Sequence, residues 1–172
     1  MALRHRCGRH SLASVTGDSF VRHGPVEPLS PVVLSVPHAG RDYPPALVAA
    51  LRVPLAALRP LEDRHADALA LAARRDETLF VATRPRAWID LNRAEHERDP
   101  RLDDGAWAHG APVSAKIRSG LGLVPRRVAS AGDIWARRLG ADEVQRRIHE
   151  DHRPWHAAIR RSEEHTSELQ SH

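Results

Sequence analysis

Residues 31–40, with the sequence PVVLSVPHAG, constrain the fold of this chain most, because a short apolar run ends abruptly at a proline, a histidine and a glycine. Four of the six residues at 32–37 are valine or leucine, which predicts a strand buried on both faces, as in a parallel sheet. The strand is expected to end at Pro37, which cannot donate to a sheet ladder. His38 then lies at the carboxyl end of the strand, where open α/β sheets bind their ligands.

From this segment alone, His38 has two interpretations. A neutral imidazole at the end of a strand is a common metal ligand or acid–base group, and Gly40 lets the backbone turn tightly behind it. A loop histidine that only bonds a backbone carbonyl fits the segment equally well.

The composition indicates one globular domain. The chain has 172 residues, of which 41% are hydrophobic and 28% are charged, so it can bury a core. It carries 25 arginines and one lysine, with a formal net charge of +4. The arginines are scattered among acidic residues without interleaved aromatic residues, which does not favour a nucleic-acid-binding surface. A small basic module that binds an acidic partner or nucleic acid is the alternative from another functional class.

Cys7 is the one cysteine of the sequence, which excludes an intrachain disulfide and fits a reducing compartment. No apolar run is long enough for a membrane span, and residues 1–20 lack the apolar core of a signal peptide. We therefore expect a cytoplasmic protein with neither membrane nor nucleic-acid partners.

Apolar runs, hydrophobic periodicity and breaking residues predict an α/β fold with an irregular N-terminal segment over residues 1–30. Pro154 is expected to kink the last predicted helix by removing a backbone hydrogen bond. The predicted strands are 32–37, 78–82 and 87–91, and the predicted helices are 46–51, 61–75 and 141–160.

Glu62 and Asp63 lie in the first turn of the helix predicted at 61–75. A carboxylate there interacts favourably with the positive end of the helix dipole. The dipole alone is enough to explain either residue without a function.

Polar residues occur at and after the end of the predicted strand 87–91, in the sequence Asp90-Leu91-Asn92-Arg93. An aspartate within an apolar strand needs a partner, because burying an unpaired carboxylate is costly. An internal ion pair between Asp90 and Arg93 is one interpretation. Alternatively, Asn92 and Arg93 point into a cleft, where a guanidinium binds a carboxylate through two hydrogen bonds.

His149, His152 and His156 fall at i, i+3 and i+7 of the helix predicted at 141–160, roughly on one face. This spacing permits metal binding, but this helix alone offers no further ligand to complete a site. Histidines that line a cleft or pack in the core are the preferred interpretation.

Residues 161–172, RSEEHTSELQSH, resemble the translation of a common sequencing-library adapter fused in frame. This resemblance predicts that the authentic coding sequence is interrupted near Arg160 and that the remainder of the domain is absent. The segment has one large apolar residue, Leu169, so it is expected to be disordered or to form a loosely attached helix.

Four blocks together resemble the N-formylglutamate amidohydrolase family, over about residues 31–160. The first and third blocks, in this order and spacing, are the more specific ones. The blocks are Ser35-Val36-Pro37-His38-Ala39-Gly40, Leu61-Glu62-Asp63 with Asp67 and Leu69, Trp88-Ile89-Asp90-Leu91-Asn92-Arg93, and His152-Arg153-Pro154-Trp155-His156.

This resemblance implies a three-layer α/β/α sandwich with a mostly parallel central sheet, similar to zinc-dependent exopeptidases and aminoacylases and incomplete in this chain. It implies hydrolysis of N-formylglutamate to formate and glutamate, late in histidine degradation, with one catalytic divalent metal ion, zinc. The implied partner is a small N-acyl amino acid substrate. A deacylase for other N-acyl amino acids, or a carboxypeptidase-like hydrolase, is the alternative within the same class.

The resemblance also assigns metal ligands. His38 is the first candidate. Arg41 occupies the position where aminoacylase relatives have a glutamate, so the second ligand is expected to be Asp63, with Glu62 as the alternative. The family's third ligand comes from a later Asp-x-His-Ser segment that this sequence lacks, and its general base arises late in the chain. The 172-residue chain is therefore expected to be inactive or nearly so.

The implied substrate-binding residues come from two other parts of the chain. Asn92 and Arg93 match the pair that binds the substrate carboxylate in related enzymes. Arg118 is the candidate for the side-chain carboxylate of glutamate, on the basis of its charge, and His156 is expected to line the cleft.

Overall fold

The structure is a computed structural model that describes residues 15–17, 19–25, 30–106 and 114–169. The helix predicted at 46–51 is confirmed as α1, and the strand predicted at 78–82 is confirmed as β4. In chain order the elements are β1 (Val15–Gly17), β2 (Phe20–His23), β3 (Val33–Val36), α1 (Pro45–Ala50), a 3₁₀ helix (Leu55–Leu61), α2 (Ala66–Ala73), β4 (Thr78–Ala82), α3 (Ala115–Arg118), β5 (Arg127–Val128), β6 (Gly132–Asp133), α4 (Ala141–Arg147), a π-helix (Ile148–His152) and α5 (Arg153–Leu169).

The larger sheet has the strand order β1-β2-β4-β3. β4 pairs in parallel with β3, with Ser35 opposite Phe80, and antiparallel with β2, which in turn pairs antiparallel with β1. β5 and β6 form a separate antiparallel pair. The predicted α/β class is therefore confirmed. The described strands form a mixed sheet, and the three-layer sandwich with a mostly parallel sheet stays a prediction.

β4 is the buried strand of this sheet, with four of its five residues buried. β3 lies at the edge of the described sheet, is half-buried and exposes Ser35. The prediction that the first apolar run is buried on both faces is therefore wrong. A run of valine and leucine is compatible with either a central or an edge strand. Because β2 pairs with the other side of β4, β4 becomes the central strand and β3 the edge strand.

The N-terminal segment, expected to be irregular over residues 1–30, contributes β1 and β2. β2 pairs with β4 along its whole length, from Phe20 to His23. Its short and partly polar sequence carries little strand signal of its own, so the tertiary pairing decides its conformation. Residues 1–14, including Cys7, lie outside the described residues.

Three aromatic rings join the last helix to the sheet. The ring centroids of Phe20 in β2, Phe80 in β4 and Trp155 in α5 lie 5.6, 5.9 and 6.2 Å apart, in tilted and edge-to-face arrangements. Each such pair stabilises the fold by about 0.5–1.5 kcal/mol beyond the burial of its area. This cluster holds the start of α5 against β2 and β4.

Residues 87–91, predicted as a third strand, form a turn followed by a buried irregular segment. Ile89 and Leu91 are buried, but the backbone N–H of Asp90 donates to the carbonyl of Leu123 in a loop, at 2.7 Å. The prediction of a strand is therefore wrong. A short buried apolar run has the same sequence pattern whether its backbone partner is a strand or a loop.

The helix predicted at 61–75 begins only at Ala66. The backbone N–H of Asp63 donates to the carbonyl of His38 at 3.0 Å, which removes it from any helical ladder. His65 then adopts the left-handed conformation, with φ of 70°, which a helix does not tolerate. The two acidic residues of this segment therefore lie before α2 and outside its first turn.

The helix predicted at 141–160 contains a π-helix, Ile148–His152, between α4 and α5. Pro154 has no N–H to donate to the carbonyl of Glu150, four residues earlier. The Ser19 hydroxyl donates to that carbonyl at 3.1 Å. A π-helix thus precedes the proline, whereas the kink expected at Pro154 stays a prediction. The wider turn of the π-helix changes the register of the residues that follow.

α5 continues through the predicted tail as far as Leu169. Residues 161–169 are therefore helical rather than disordered, which is the second of the two conformations expected for them, and Ser162 is buried. None of the described helices is long and apolar enough to cross a membrane.

Replacing Ser19 by alanine is expected to lower the free energy of unfolding by about 1 kcal/mol, because the Glu150 carbonyl loses its donor. The loss should be smaller in a Pro154→Ala background, where residue 154 regains an N–H for the same carbonyl. Denaturant unfolding of the wild type, the two single variants and the double variant measures this coupling. An equal loss in both backgrounds would contradict the assigned roles.

Helix α2 has no buried residue, and Leu69 and Leu71 are 71% and 43% exposed. Replacing both leucines by glutamine should reduce binding of a hydrophobic dye and change the free energy of unfolding by less than about 0.5 kcal/mol. Leu58→Gln is the control, because Leu58 is fully buried and its replacement should destabilise strongly. A similar loss of stability in the α2 variant would show that its leucines are packed.

Candidate functional site

The buried carboxylate of Asp90 lies at the centre of the candidate site. Its side chain is fully buried. One oxygen, Oδ1, accepts from His38 Nε2 at 2.8 Å and from the backbone N–H of Asn92 at 2.9 Å. The other, Oδ2, accepts from Arg86 Nε at 2.9 Å, and Arg93 Nε lies 3.7 Å from it. The ion pair with Arg93 that the sequence suggests is thus the longest of these contacts, and Arg86 is the closer cation.

The ionised carboxylate of Asp90 determines which nitrogen of the His38 ring carries the proton. Burial alone would raise the pKa of the Asp90 carboxyl, but the hydrogen bond from His38 and the charge of Arg86 outweigh it, so the pKa lies below its usual range. An ionised carboxylate only accepts hydrogen bonds, so the proton is on His38 Nε2. In the neutral form of the imidazole, this tautomer leaves the lone pair of Nδ1 for other groups.

His38 and Asp63, both predicted as ligands, lie side by side. Nδ1 of His38 is 3.4 Å from Oδ2 of Asp63, and the backbone N–H of Asp63 donates to the His38 carbonyl. The imidazole is nearly buried, whereas the Asp63 side chain is 59% exposed. The pair therefore offers one nitrogen and one oxygen donor at the surface of the molecule.

Next to this pair, the backbone at position 40 passes so close to the backbone of Arg84 that only glycine fits. A Cβ at this position would lie 2.0 Å from the carbonyl oxygen of Arg84, so no larger residue fits without a backbone shift. The segment after His38 is held in place by a hydrogen bond from the N–H of Asp42 to the Thr83 carbonyl, at 2.9 Å.

Both carboxylate oxygens of Glu62, the alternative ligand, have other partners. Oε1 accepts from the Tyr43 hydroxyl, and Oε2 accepts from Arg64 Nε at 2.7 Å. Burial opposes ionisation, but the hydrogen bonds from Tyr43 and Arg64 lower the pKa of the Glu62 carboxyl. Burial and the bond to Glu62 raise the pKa of the Tyr43 hydroxyl. Arg41, three residues after His38, donates to Asp67 at 2.6 Å.

The second part of the site is a cavity of about 690 Å³. Three of the predicted substrate-binding residues, Asn92, Arg93 and His156, line it, whereas Arg118 lies at the end of α3 and does not. The other residues that line the cavity are Ala94, Glu95, His152, Arg153, Ala157 and Arg160.

Three buried polar atoms at this cavity have no hydrogen-bond partner among the described residues. They are Nε of Arg93, Nδ1 of His152 and Nε2 of His156. His152 uses its other ring nitrogen, Nε2, in a hydrogen bond with the Arg93 carbonyl at 2.7 Å, and the two imidazole centroids are 4.3 Å apart. Burial and the neighbouring His152 lower the pKa of the His156 imidazole. Buried groups of this kind normally have a partner, so the cavity is suited to a polar ligand.

The structure separates the three histidines that the sequence places roughly on one helix face. His152 and His156 line the cavity described above, whereas His149 lines a second one beside Trp88 and Asp151. The π-helix explains the separation, because its wider turn changes the angular spacing that an α-helix would give.

Six residues that line the cavity were not predicted to bind substrate, and four of them have polar or charged side chains, namely Glu95, His152, Arg153 and Arg160. His152 had a sequence signal, its position four residues before His156, which places both on one side of a helix. Arg153 belongs to the fourth block of the family resemblance, whereas no sequence pattern distinguishes Arg160 or Glu95 from the other charged residues.

Among residues 15–17, 19–25, 30–106 and 114–169, no group of three or more histidine, cysteine, aspartate or glutamate side chains is arranged to hold a metal ion. His38 and Asp63 are therefore a set of two donors within the described part of the chain.

Comparison with known proteins identifies the family. Residues 30–171 match the family model described as N-formylglutamate amidohydrolase. Among solved structures, the chain is similar to that titled N-formylglutamate amidohydrolase from Ralstonia eutropha JMP134, with 37% sequence identity and a TM-score of 0.79. The match covers 88% of this chain and 54% of the Ralstonia chain, so this chain spans about half the length of that relative. A search of curated proteins gives no match. The family model covers most of the chain and the structural relative agrees with it, so this chain belongs to the N-formylglutamate amidohydrolase family.

Proposed function

We propose that this chain carries the first metal ligands and the substrate-binding pair of an enzyme that hydrolyses the formyl amide of N-formylglutamate, as part of histidine degradation. The observation that carries the proposal is the placement of His38. Its ring is oriented by Asp90, its other ring nitrogen lies next to Asp63, and the backbone N–H of Asn92, which begins the Asn92-Arg93 pair, donates to the same Asp90 carboxylate.

The donor pair fits a divalent cation, with zinc as the first candidate. Two ligands of a tetrahedral zinc ion, each about 2.0–2.1 Å from the metal, lie roughly 3.3–3.4 Å from each other. The 3.4 Å between His38 Nδ1 and Asp63 Oδ2 agrees with that spacing. The bond from His38 Nε2 to Asp90 is the usual support for a metal-binding histidine, because it fixes the ring and increases its basicity. A bound zinc ion would lower the pKa of its water to about 7 and polarise the formyl carbonyl.

The same buried aspartate connects the metal pair to the substrate cavity. Oδ1 of Asp90 accepts from both His38 and the N–H of Asn92, so the start of the segment that lines the cavity is held relative to the imidazole. Arg93 provides a guanidinium for the α-carboxylate of the substrate, and Asn92 provides an amide donor. Together they would hold the amide bond in a defined position relative to the metal pair.

The third ligand and the general base are proposed to come from the part of the family domain that the Ralstonia relative has in addition to the matched residues. That part would also complete the three-layer sandwich with its mostly parallel sheet. Deacylation of other N-acyl amino acids and a carboxypeptidase-like reaction are the alternatives within this proposal, because they would use the same metal ligands and the same substrate-binding pair. The cytoplasmic location stays a prediction.

The metal proposal is tested by calorimetric titration of the chain with zinc. Wild type is expected to bind one zinc ion, and His38→Ala and Asp63→Asn should abolish binding. Asp90→Asn should weaken it by about 10–100-fold, as loss of an outer partner of a ligand does. Glu62→Gln is the matched control and should bind as wild type does. An equal loss in the Glu62 and Asp63 variants would contradict the assignment of Asp63.

Because the described residues supply only two of the proposed metal ligands, the 172-residue chain is expected to release little formate from N-formyl-L-glutamate in the presence of zinc. The measurement is formate production over time, with the Ralstonia enzyme assayed in parallel under the same conditions. Zinc-dependent release by this chain at a rate comparable to that of the Ralstonia enzyme would contradict the expectation of inactivity.

A further inference from the structure

Arg86 is bound to the carboxylate at the centre of the candidate site, but it does not line the substrate cavity. Its Nε donates to Oδ2 of Asp90 at 2.9 Å, and its side chain is partly buried. The residues that line the cavity include Arg93 and do not include Arg86. Any effect of Arg86 on a ligand in the cavity therefore passes through Asp90.

Two arginines approach the same oxygen of Asp90. Arg93 Nε lies 3.7 Å from Oδ2, beyond the range of about 2.7–3.2 Å for an N–H···O hydrogen bond. This buried nitrogen has no hydrogen-bond partner among the described residues. The other oxygen, Oδ1, already accepts from His38 and from the N–H of Asn92. Arg86 thus occupies the position on Asp90 that Arg93 would otherwise take.

The backbone of Arg93 is fixed, so only its side chain can respond to a change at Asp90. Its N–H donates to the Asp90 carbonyl at 3.1 Å, and its own carbonyl accepts from His152 Nε2 at 2.7 Å. In the described part of the chain its guanidinium has only long ionic contacts, of 3.7 Å to Asp90 and 3.8 Å to Glu97. A movement of about 0.5–1 Å would bring its Nε within hydrogen-bond distance of Asp90 Oδ2.

A tight turn fixes the base of the Arg86 side chain. The N–H of Trp88 donates to the Pro85 carbonyl at 2.9 Å, and Ala87 is only 1% exposed. The turn is therefore anchored in the core, and the guanidinium of Arg86 reaches Asp90 from a rigid position.

We propose that Arg86 is a positioning residue, which occupies Oδ2 of Asp90 and so keeps the guanidinium of Arg93 available to the α-carboxylate of the substrate. The inference rests on the proposed function, in which Arg93 binds that carboxylate. Without Arg86 the buried carboxylate loses its closest cation, and Arg93 moves onto Oδ2 to replace it. Arg93 in that ion pair binds an external carboxylate weakly, because its charge is already compensated. His38 keeps its bond to the other oxygen, Oδ1.

Calorimetric titration of the full chain with N-formyl-L-glutamate and with its α-amide, N-formyl-L-isoglutamine, measures the charge that Arg93 offers. Wild type should bind the acid about tenfold more tightly than the amide. Arg86→Gln should weaken binding of the acid about tenfold and that of the amide by less than about threefold. Arg84→Gln is the matched control and should keep the wild-type preference, because Arg84 bonds to Asp42, at 2.5 Å, and does not line the cavity.

Arg86→Lys is the conservative variant. It should keep most of the preference for the acid, because an ammonium also neutralises Oδ2 of Asp90 and the contact to be replaced is a single hydrogen bond. It also keeps the inference testable if Arg86→Gln does not fold. Loss of the preference in folded Arg86→Lys would overturn the role of a positive charge at this position.

The double variant Arg86→Gln/Asp90→Asn distinguishes this role from a general loss of structure. With a neutral side chain at position 90 no anion attracts Arg93, so Arg86→Gln should change the affinity for N-formyl-L-glutamate by less than about threefold relative to Asp90→Asn alone. Zinc affinity should also change by less than about threefold in Arg86→Gln, because Asp90 Oδ1 still orients His38. An equal loss of acid affinity in both backgrounds, or a parallel loss of zinc and acid affinity, would overturn the inference.

The Nε–H signal of Arg93 reports on the same contact without a ligand. It is assigned in the ¹⁵N NMR spectrum by its absence in Arg93→Lys, and it should shift downfield in Arg86→Gln as the proton bonds to Asp90. An unmoved signal in folded Arg86→Gln would overturn the role of Arg86 and leave the proposed function intact. Failure of wild type to bind either compound would overturn the proposed function, and with it the assignment of the Arg93 charge to a ligand.

Discussion

The compensation of one buried charge, the carboxylate of Asp90, holds the candidate site together. A carboxylate removed from water is stable only if opposite charge and hydrogen-bond donors surround it. Here the donors come from separate places along the chain, namely His38 after β3, Arg86 in the turn that precedes Asp90, and the N–H of Asn92. Each donor is positioned by the same acceptor, so the imidazole, the guanidinium and the segment that lines the cavity form one rigid unit.

The cavity depends on a second feature, the π-helix at Ile148–His152 and the proline that follows it. The wider turn directs His152 and His156 to one cavity and His149 to another. Trp155 packs on the sheet, so these histidines keep their position relative to β4. The hydroxyl of a residue far away in the sequence, Ser19, bonds to the carbonyl that the proline leaves without a donor.

Local patterns predicted the parts of the structure that depend on neighbours in the sequence. The break after Val36 and the helix α1 follow from the chemistry of proline and from apolar runs, and both occur. The predictions of a strand at 87–91 and of a helix start at residue 61 were wrong, because the conformation of each segment depends on a distant backbone partner. These partners are the Leu123 carbonyl for the first and the His38 carbonyl for the second.

Sequence by itself determined the residue types of the site, their order and the family resemblance. It predicted His38, Asp63, Asn92, Arg93 and His156 as candidate site residues, from blocks that resemble those of the family. Only the tertiary structure decided how these residues associate: which cation and which imidazole neutralise the buried aspartate, which arginines line the cavity, and which apolar strand is buried. These choices depend on distances between segments far apart in the chain, and a charged side chain has the same sequence signal whichever partner it meets.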